Sequence, residues 1–159
     1  MKINEGFTLI ELLVTLSVLS IIFCFVLGFN HRFFEKNKID VLVSQIITSI
    51  YSSRNQAINS GRDVTLNPID VSGDWSAGMI LFVDNPSHHY TKQDKLIYTW
   101  QWQQSPRLKV VWRGFKSTDY LTFAKTLRRS TVNGHFVILQ DGVEVRRIVV
   151  NRLGRTASG

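Results

Sequence analysis

The sequence predicts an α+β fold: a long N-terminal helix, half membrane-embedded and half amphipathic, packed on an antiparallel β-sheet domain. Three observations carry this. Residues 7–29 form an apolar run interrupted by one charge, Glu11. Apolar residues then recur at spacings of three and four as far as Ile58, the period of one helix face. From Asp63 onward the pattern becomes short strand-like runs broken by turn residues.

The apolar run would measure roughly 34 Å as a helix, enough for a bilayer core of about 30 Å. A charge at mid-membrane costs about 2.5–3.5 kcal/mol on insertion scales, so Glu11 is expected to have a function there. Its expected partner is a new amine at Phe7, exposed if the chain is cut after Gly6. The polar group Asn30-His31-Arg32 marks the expected membrane surface. The helical stripe resumes with Ile39, Leu42/Val43, Ile46/Ile47, Ile50 and Ala57/Ile58, and Gly61 is the natural stop. Expected strands are 64–66, 79–83, 95–102, 108–112, 120–123, 135–140 and 143–151, with loops at 67–76 and 85–94. Asp141-Gly142 lies between two apolar runs and signals a two-residue hairpin turn. The expected organisation is a leader (1–6), a membrane or core helix (7–29), the amphipathic half of that helix (30–61) and a β-rich domain (62–159).

A chain of 159 residues, less its anchor, can hold one ordinary domain. The formal charge of +7 is uneven: residues 105–159 hold eleven Lys/Arg against three acids, and the rest is nearly neutral. Such a half suits a polyanion, nucleic acid or acidic lipid, or simply solubility. The lone Cys24 lies in the apolar run, which excludes an intrachain disulfide.

Gly6-Phe7-Thr8-Leu9-Ile10-Glu11, followed by the long apolar run, resembles the processing site of type IV prepilins and type II secretion pseudopilins. The resemblance implies cleavage after Gly6 by a prepilin peptidase, N-methylation of Phe7, and an assembly role for Glu11 against a neighbouring subunit's N-terminus. It narrows further along the chain. Ser53-Arg54-Asn55-Gln56-Ala57-Ile58-Asn59-Ser60-Gly61, Val64-Thr65-Leu66 and the stretch from Gly73-Asp74-Trp75 to Phe82-Val83-Asp84 are similar to the FimT/GspH branch. This implies a type IV pilin-like fold and a non-enzymatic minor pilin or pseudopilin without a cofactor. It implies an inner-membrane subunit whose domain is periplasmic, or on the filament or its tip after assembly, with other pilin subunits as partners. The alternative within the branch is a DNA-binding minor pilin serving uptake in natural transformation. Two departures stand out. Asn67 replaces a cysteine often found after Val-Thr-Leu, and Ala157 stands where DNA-binding members carry a second Arg after Gly154-Arg155.

Arg107, Lys109 and Arg113 alternate with Leu108, Val110 and Trp112, so a strand would place cations on one face, with Val111 interrupting them. Arg146, Arg147, Arg152 and Arg155 precede a tail expected to be flexible, Thr156-Ala157-Ser158-Gly159. These seven cations are the candidate sites for non-sequence-specific DNA contact. Tyr98, Trp100 and Trp102 share a strand face and, like Trp75 and Phe82, are expected to serve core or subunit contact. His88-His89 lack the further ligands of a metal site. Ser87, His88 and Asp94 lack the elbow and oxyanion hole of a hydrolase, so no metal and no catalytic residue is assigned.

Overall fold

The computed structural model describes residues 7–70, 73–102, 105–126, 130 and 132–158, with the side chains of 26–35 outside the description. Gly6, the expected cleavage position, lies outside the described residues. Helix α1 runs Leu9–Ser60 and ends immediately before Gly61. The chain divides into two compact units, one ending at Asp40 and one from Val41 onward.

In the first unit, helix α1 begins with a reciprocal cap. Thr8 precedes the first helical residue, and Glu11 stands three positions on. The Thr8 hydroxyl accepts the Glu11 backbone N–H at 3.4 Å, while Glu11 Oε2 accepts the Thr8 backbone N–H at 3.1 Å. This is a capping box, which satisfies amides that a helix start otherwise leaves orphaned. Beyond it, the hydroxyls of Thr15, Ser17 and Ser20 donate to the carbonyls of Leu12, Leu13 and Leu16. These three hydroxyls are thus satisfied within the helix itself.

The second unit opens with the remaining half of α1. Its stripe buries Leu42, Ile46, Ile50 and Ala57, completed by Ser49 and Ser53, whose hydroxyls bond to the carbonyls of Ile46 and Ser49. Ile58 departs from the expected stripe and is exposed. Strands β1 (Val64–Pro68), β2 (Gly78–Val83), β3 (Leu96–Gln101), β4 (Leu108–Gly114), β5 (Leu121–Phe123), β6 (Gly134–Gln140), β7 (Val143–Val150) and β8 (Thr156–Ser158) follow. The expected single sheet is two four-stranded antiparallel sheets, ordered β3-β2-β1-β5 and β4-β6-β7-β8. The expected loop 67–76 is shortened at both ends, by β1 and by a 3-10 turn at Trp75–Ala77.

The expectation of a flexible tail is corrected: Thr156 pairs with Val150, Ala157 with Val149 and Ser158 with Ile148. Thr-Ala-Ser has no apolar alternation, but the unpaired edge of β7 supplies backbone partners that need none. The hairpin at Asp141-Gly142 forms as expected, with φ of 50° and 83°, the paired positive values of a type I′ turn.

One core joins the helix half to both sheets. It includes Ile46 and Ile50 from α1, Leu66, Leu81 and Phe123 from the first sheet, and Trp112, Phe136 and Ile148 from the second. Trp75 meets Phe136 edge-on at 5.4 Å between ring centroids, and Trp112 lies 4.7 Å from the same ring. The three aromatics expected on one strand face separate. Trp102 leaves β3, is buried and donates its indole N–H to the Trp75 carbonyl at 2.9 Å. Trp100 packs partly against the core, and Tyr98 is exposed.

Candidate functional site: the helix start and the basic sheet

Every large apolar side chain from Phe7 to Phe25 is at least half exposed, from Val18 at 50% to Leu9 at 80%, on all sides of the helix. A helix apolar all round requires an apolar environment that this chain does not itself supply. Among the described residues no helix is long and apolar enough to cross a membrane. The described side chains of the run stop at Phe25, whereas residues 26–29 of the expected span lie beyond them. The Glu11 carboxylate is engaged by the backbone N–H and the hydroxyl of Thr8, the latter at 3.0 Å.

The seven candidate cations do not form one cluster. Lys109 and Arg113 are exposed on β4 while Val110 and Trp112 are buried, as the alternation requires. Arg107 precedes β4, and its Nε lies 3.0 Å from both carboxylate oxygens of Asp141. Arg147 forks onto Glu144 at 2.7 and 2.9 Å. Arg146 and Arg147, adjacent in β7, pair with Ile138 and Val137 and therefore point to opposite faces of the sheet. Arg146 donates to the Val145 carbonyl at 3.2 Å. Arg152 and Arg155 occupy the turn between β7 and β8, where the Asn151 side-chain oxygen accepts the backbone N–H groups of Leu153 and Arg155, each at 2.9 Å.

These ion pairs set the local electrostatics. The guanidinium of Arg147, hydrogen-bonded to Glu144, holds that carboxyl below its ordinary value, helped by the charges of Arg113 and His135. The same bond raises Arg147 further above its usual range. Arg107 likewise lowers Asp141. Arg107 and Arg147 therefore already answer an acid of their own chain.

Residues 42–154 match the family model described as type II transport protein GspH, and residues 1–23 match the prokaryotic N-terminal methylation motif. The chain belongs to the GspH family. The type IV minor pilin FimU of Pseudomonas aeruginosa has a similar fold. In one crystal form it aligns at 15% identity with a TM-score of 0.60, covering 80% of this chain and 92% of FimU. A second crystal form of FimU gives 14% identity and a TM-score of 0.48 over 73% and 88% of the two chains. No curated protein sequence matches the chain. The pilin and pseudopilin family to which GspH belongs consists of structural subunits, not enzymes. It implies processing by prepilin peptidase and assembly with other pilin subunits.

Within this GspH domain, several residues have roles that the sequence did not signal. Asn67, in the place of the cysteine, is buried. It donates to the His88 carbonyl at 3.0 Å and accepts the Tyr90 backbone N–H at 2.7 Å, pinning the loop over the first sheet. His88 bonds Asp84 at 2.8 Å and stacks on Tyr120, while His89 lies 3.5 Å from Asp119. Asp94 bonds Thr91 and Asn85, within the same loop. Among the described residues no group of three or more His, Cys, Asp or Glu could hold a metal. Phe115 and Lys116 line a cleft of about 240 Å³ with Ser130, Asn133 and Arg152. A Phe-Lys pair in a turn carries no periodic signal; only the three-dimensional return of the Arg152 turn brings them beside a cation.

Proposed function

We propose that the protein is a filament subunit of a type IV pilus or type II secretion pseudopilus, cleaved after Gly6 and methylated at Phe7. The observation that carries this reading is the all-round exposed apolar helix from Leu9 to Phe25 with one carboxylate, Glu11, in its first turn. Residues 7–29 are held in the inner membrane before assembly and packed against other subunits afterwards, with the basic domain in the periplasm or on the filament. In the bilayer Glu11 is hydrogen-bonded to Thr8 but has no cation. In the filament it meets a neighbour's Phe7 amine, and this difference favours extraction of the helix.

The test is Glu11→Ala in the full chain. It should leave membrane insertion and cleavage intact and lower incorporation into filaments at least severalfold. Normal incorporation of that variant would count against the mechanism. Mass spectrometry of the mature wild-type chain should find N-methylated Phe7 as its first residue.

A second reading, DNA binding by a minor pilin during uptake, is favoured by the concentration of cations after residue 105. Arg107 and Arg147 are internally paired, which shifts the expected contacts toward Lys109, Arg113 and Arg155. Retardation of DNA by the full chain in low salt, reduced by Arg152→Gln with Arg155→Gln, is the expected result. No retardation would remove the reading.

A further inference from the structure

Phe115 is 85% exposed, more than any other large apolar side chain among the described residues of the second unit. Its position is braced. The Phe115 backbone N–H donates to the Asn133 carbonyl at 2.8 Å, and the Trp112 indole N–H donates to the Ser117 carbonyl across the same turn at 2.9 Å. The opposite wall is braced as well, because Asn151 closes the turn that carries Arg152. Between them lies the cleft of about 240 Å³, with Lys116 and Arg152 in its lining. An aromatic ring held open to solvent beside two cations matches the chemistry of one nucleotide: a base for the ring, a phosphate for the cations.

We infer that this cleft is a stacking site for single-stranded nucleic acid, with an unpaired base on Phe115 and its phosphate between Lys116 and Arg152. The inference rests on the DNA-binding reading and deepens it. It predicts a preference for strands whose bases are free, which a merely basic surface would not have. A duplex hides its base faces and offers only phosphates. An acidic protein segment would satisfy the cations but would not need an open ring face.

The experiment uses the full chain in detergent micelles at low salt, with fluorescence anisotropy of a labelled oligo-dT and of a duplex of equal length. The oligo-dT should bind more tightly than the duplex. Phe115→Ala should weaken oligo-dT binding about tenfold and leave duplex binding unchanged, while Phe115→Tyr should restore it. Lys116→Gln should weaken both probes and reduce the salt dependence by about one phosphate contact. Equal affinity for both probes, or no effect of Phe115→Ala, would overturn the stacking site while leaving DNA binding in place. Binding of neither probe would overturn both. Displacement of oligo-dT by polyglutamate at equal charge concentration would also overturn it, assigning the cleft to an acidic partner protein.

Discussion

Gly154 shows how one residue sets the geometry of the C-terminal turn. Its φ is +73°, and an added Cβ would stand 3.4 Å from Phe123 and 3.7 Å from Arg54. Arg54 is itself fixed by its bond to the Ala124 carbonyl at 2.8 Å. The Gly-Arg pair of the tail therefore has a backbone reason in its glycine, separate from any ligand of Arg155. Gly154→Ala should lower stability by about 1–2 kcal/mol, the cost of a left-handed L-residue, read as a lower urea midpoint at constant slope. An unchanged midpoint would mean that the turn relaxes to negative φ without loss. Acid stability tests the paired arginines. Glu144 and Asp141 are held below ordinary values of 4.5 and 3.8 by Arg147 and Arg107. Their stabilisation is complete above those unfolded-state values and is lost as pH falls through the lower folded-state values. Between about pH 5 and pH 3 in low salt, the thermal midpoint should therefore fall less in Arg147→Gln than in the wild type. Identical pH profiles would show that the Arg147–Glu144 pair makes no contribution.

At the scale of elements, what the sequence made legible followed from periodicity. The stripe from Leu42 to Ala57, the alternation in β4 and the Asp141-Gly142 turn each depend on neighbours close in sequence, and each appears in the structure. Two features were hidden because their cause is distant. Strand β8 exists only because β7 offers a free edge, and the division into two sheets depends on chain return rather than local pattern. The separation of Arg146 from Arg147, by contrast, follows from strand alternation alone once 143–150 is a strand. The cap at Thr8 and Glu11 is local too, since Thr-x-x-Glu needs no distant contact. Strand β8 gives the test. Deleting residues 156–159 should speed amide hydrogen exchange in Ile148–Val150 by an order of magnitude or more, while β4 keeps its protection. Unchanged exchange would show that β8 adds no protection to β7.

For the whole molecule, stability and assembly are assigned to different lengths of chain. All the largest fully buried side chains, among them Trp75, Trp112, Phe82, Phe136 and Ile46, belong to the unit that starts at Val41. Before it, Ile39 is the only buried apolar side chain among the described residues, and the large apolar side chains from Phe7 to Phe25 are at least half exposed. Such side chains stabilise nothing inside the monomer; their burial free energy, about 25 cal/mol per Å², becomes available only in lipid or against other subunits. A chain of residues 41–159 should therefore fold alone, with one cooperative transition. Its thermal midpoint should lie within about 4 °C of that of the full chain in detergent, the shift expected for roughly 1 kcal/mol in a domain of this size. It should also be absent from filaments, because it lacks both the helix and Glu11. A loss of cooperativity, or a midpoint lowered by more than about 10 °C, would mean that the first unit contributes to the domain's core after all, and the separation of anchor from fold would have to be abandoned.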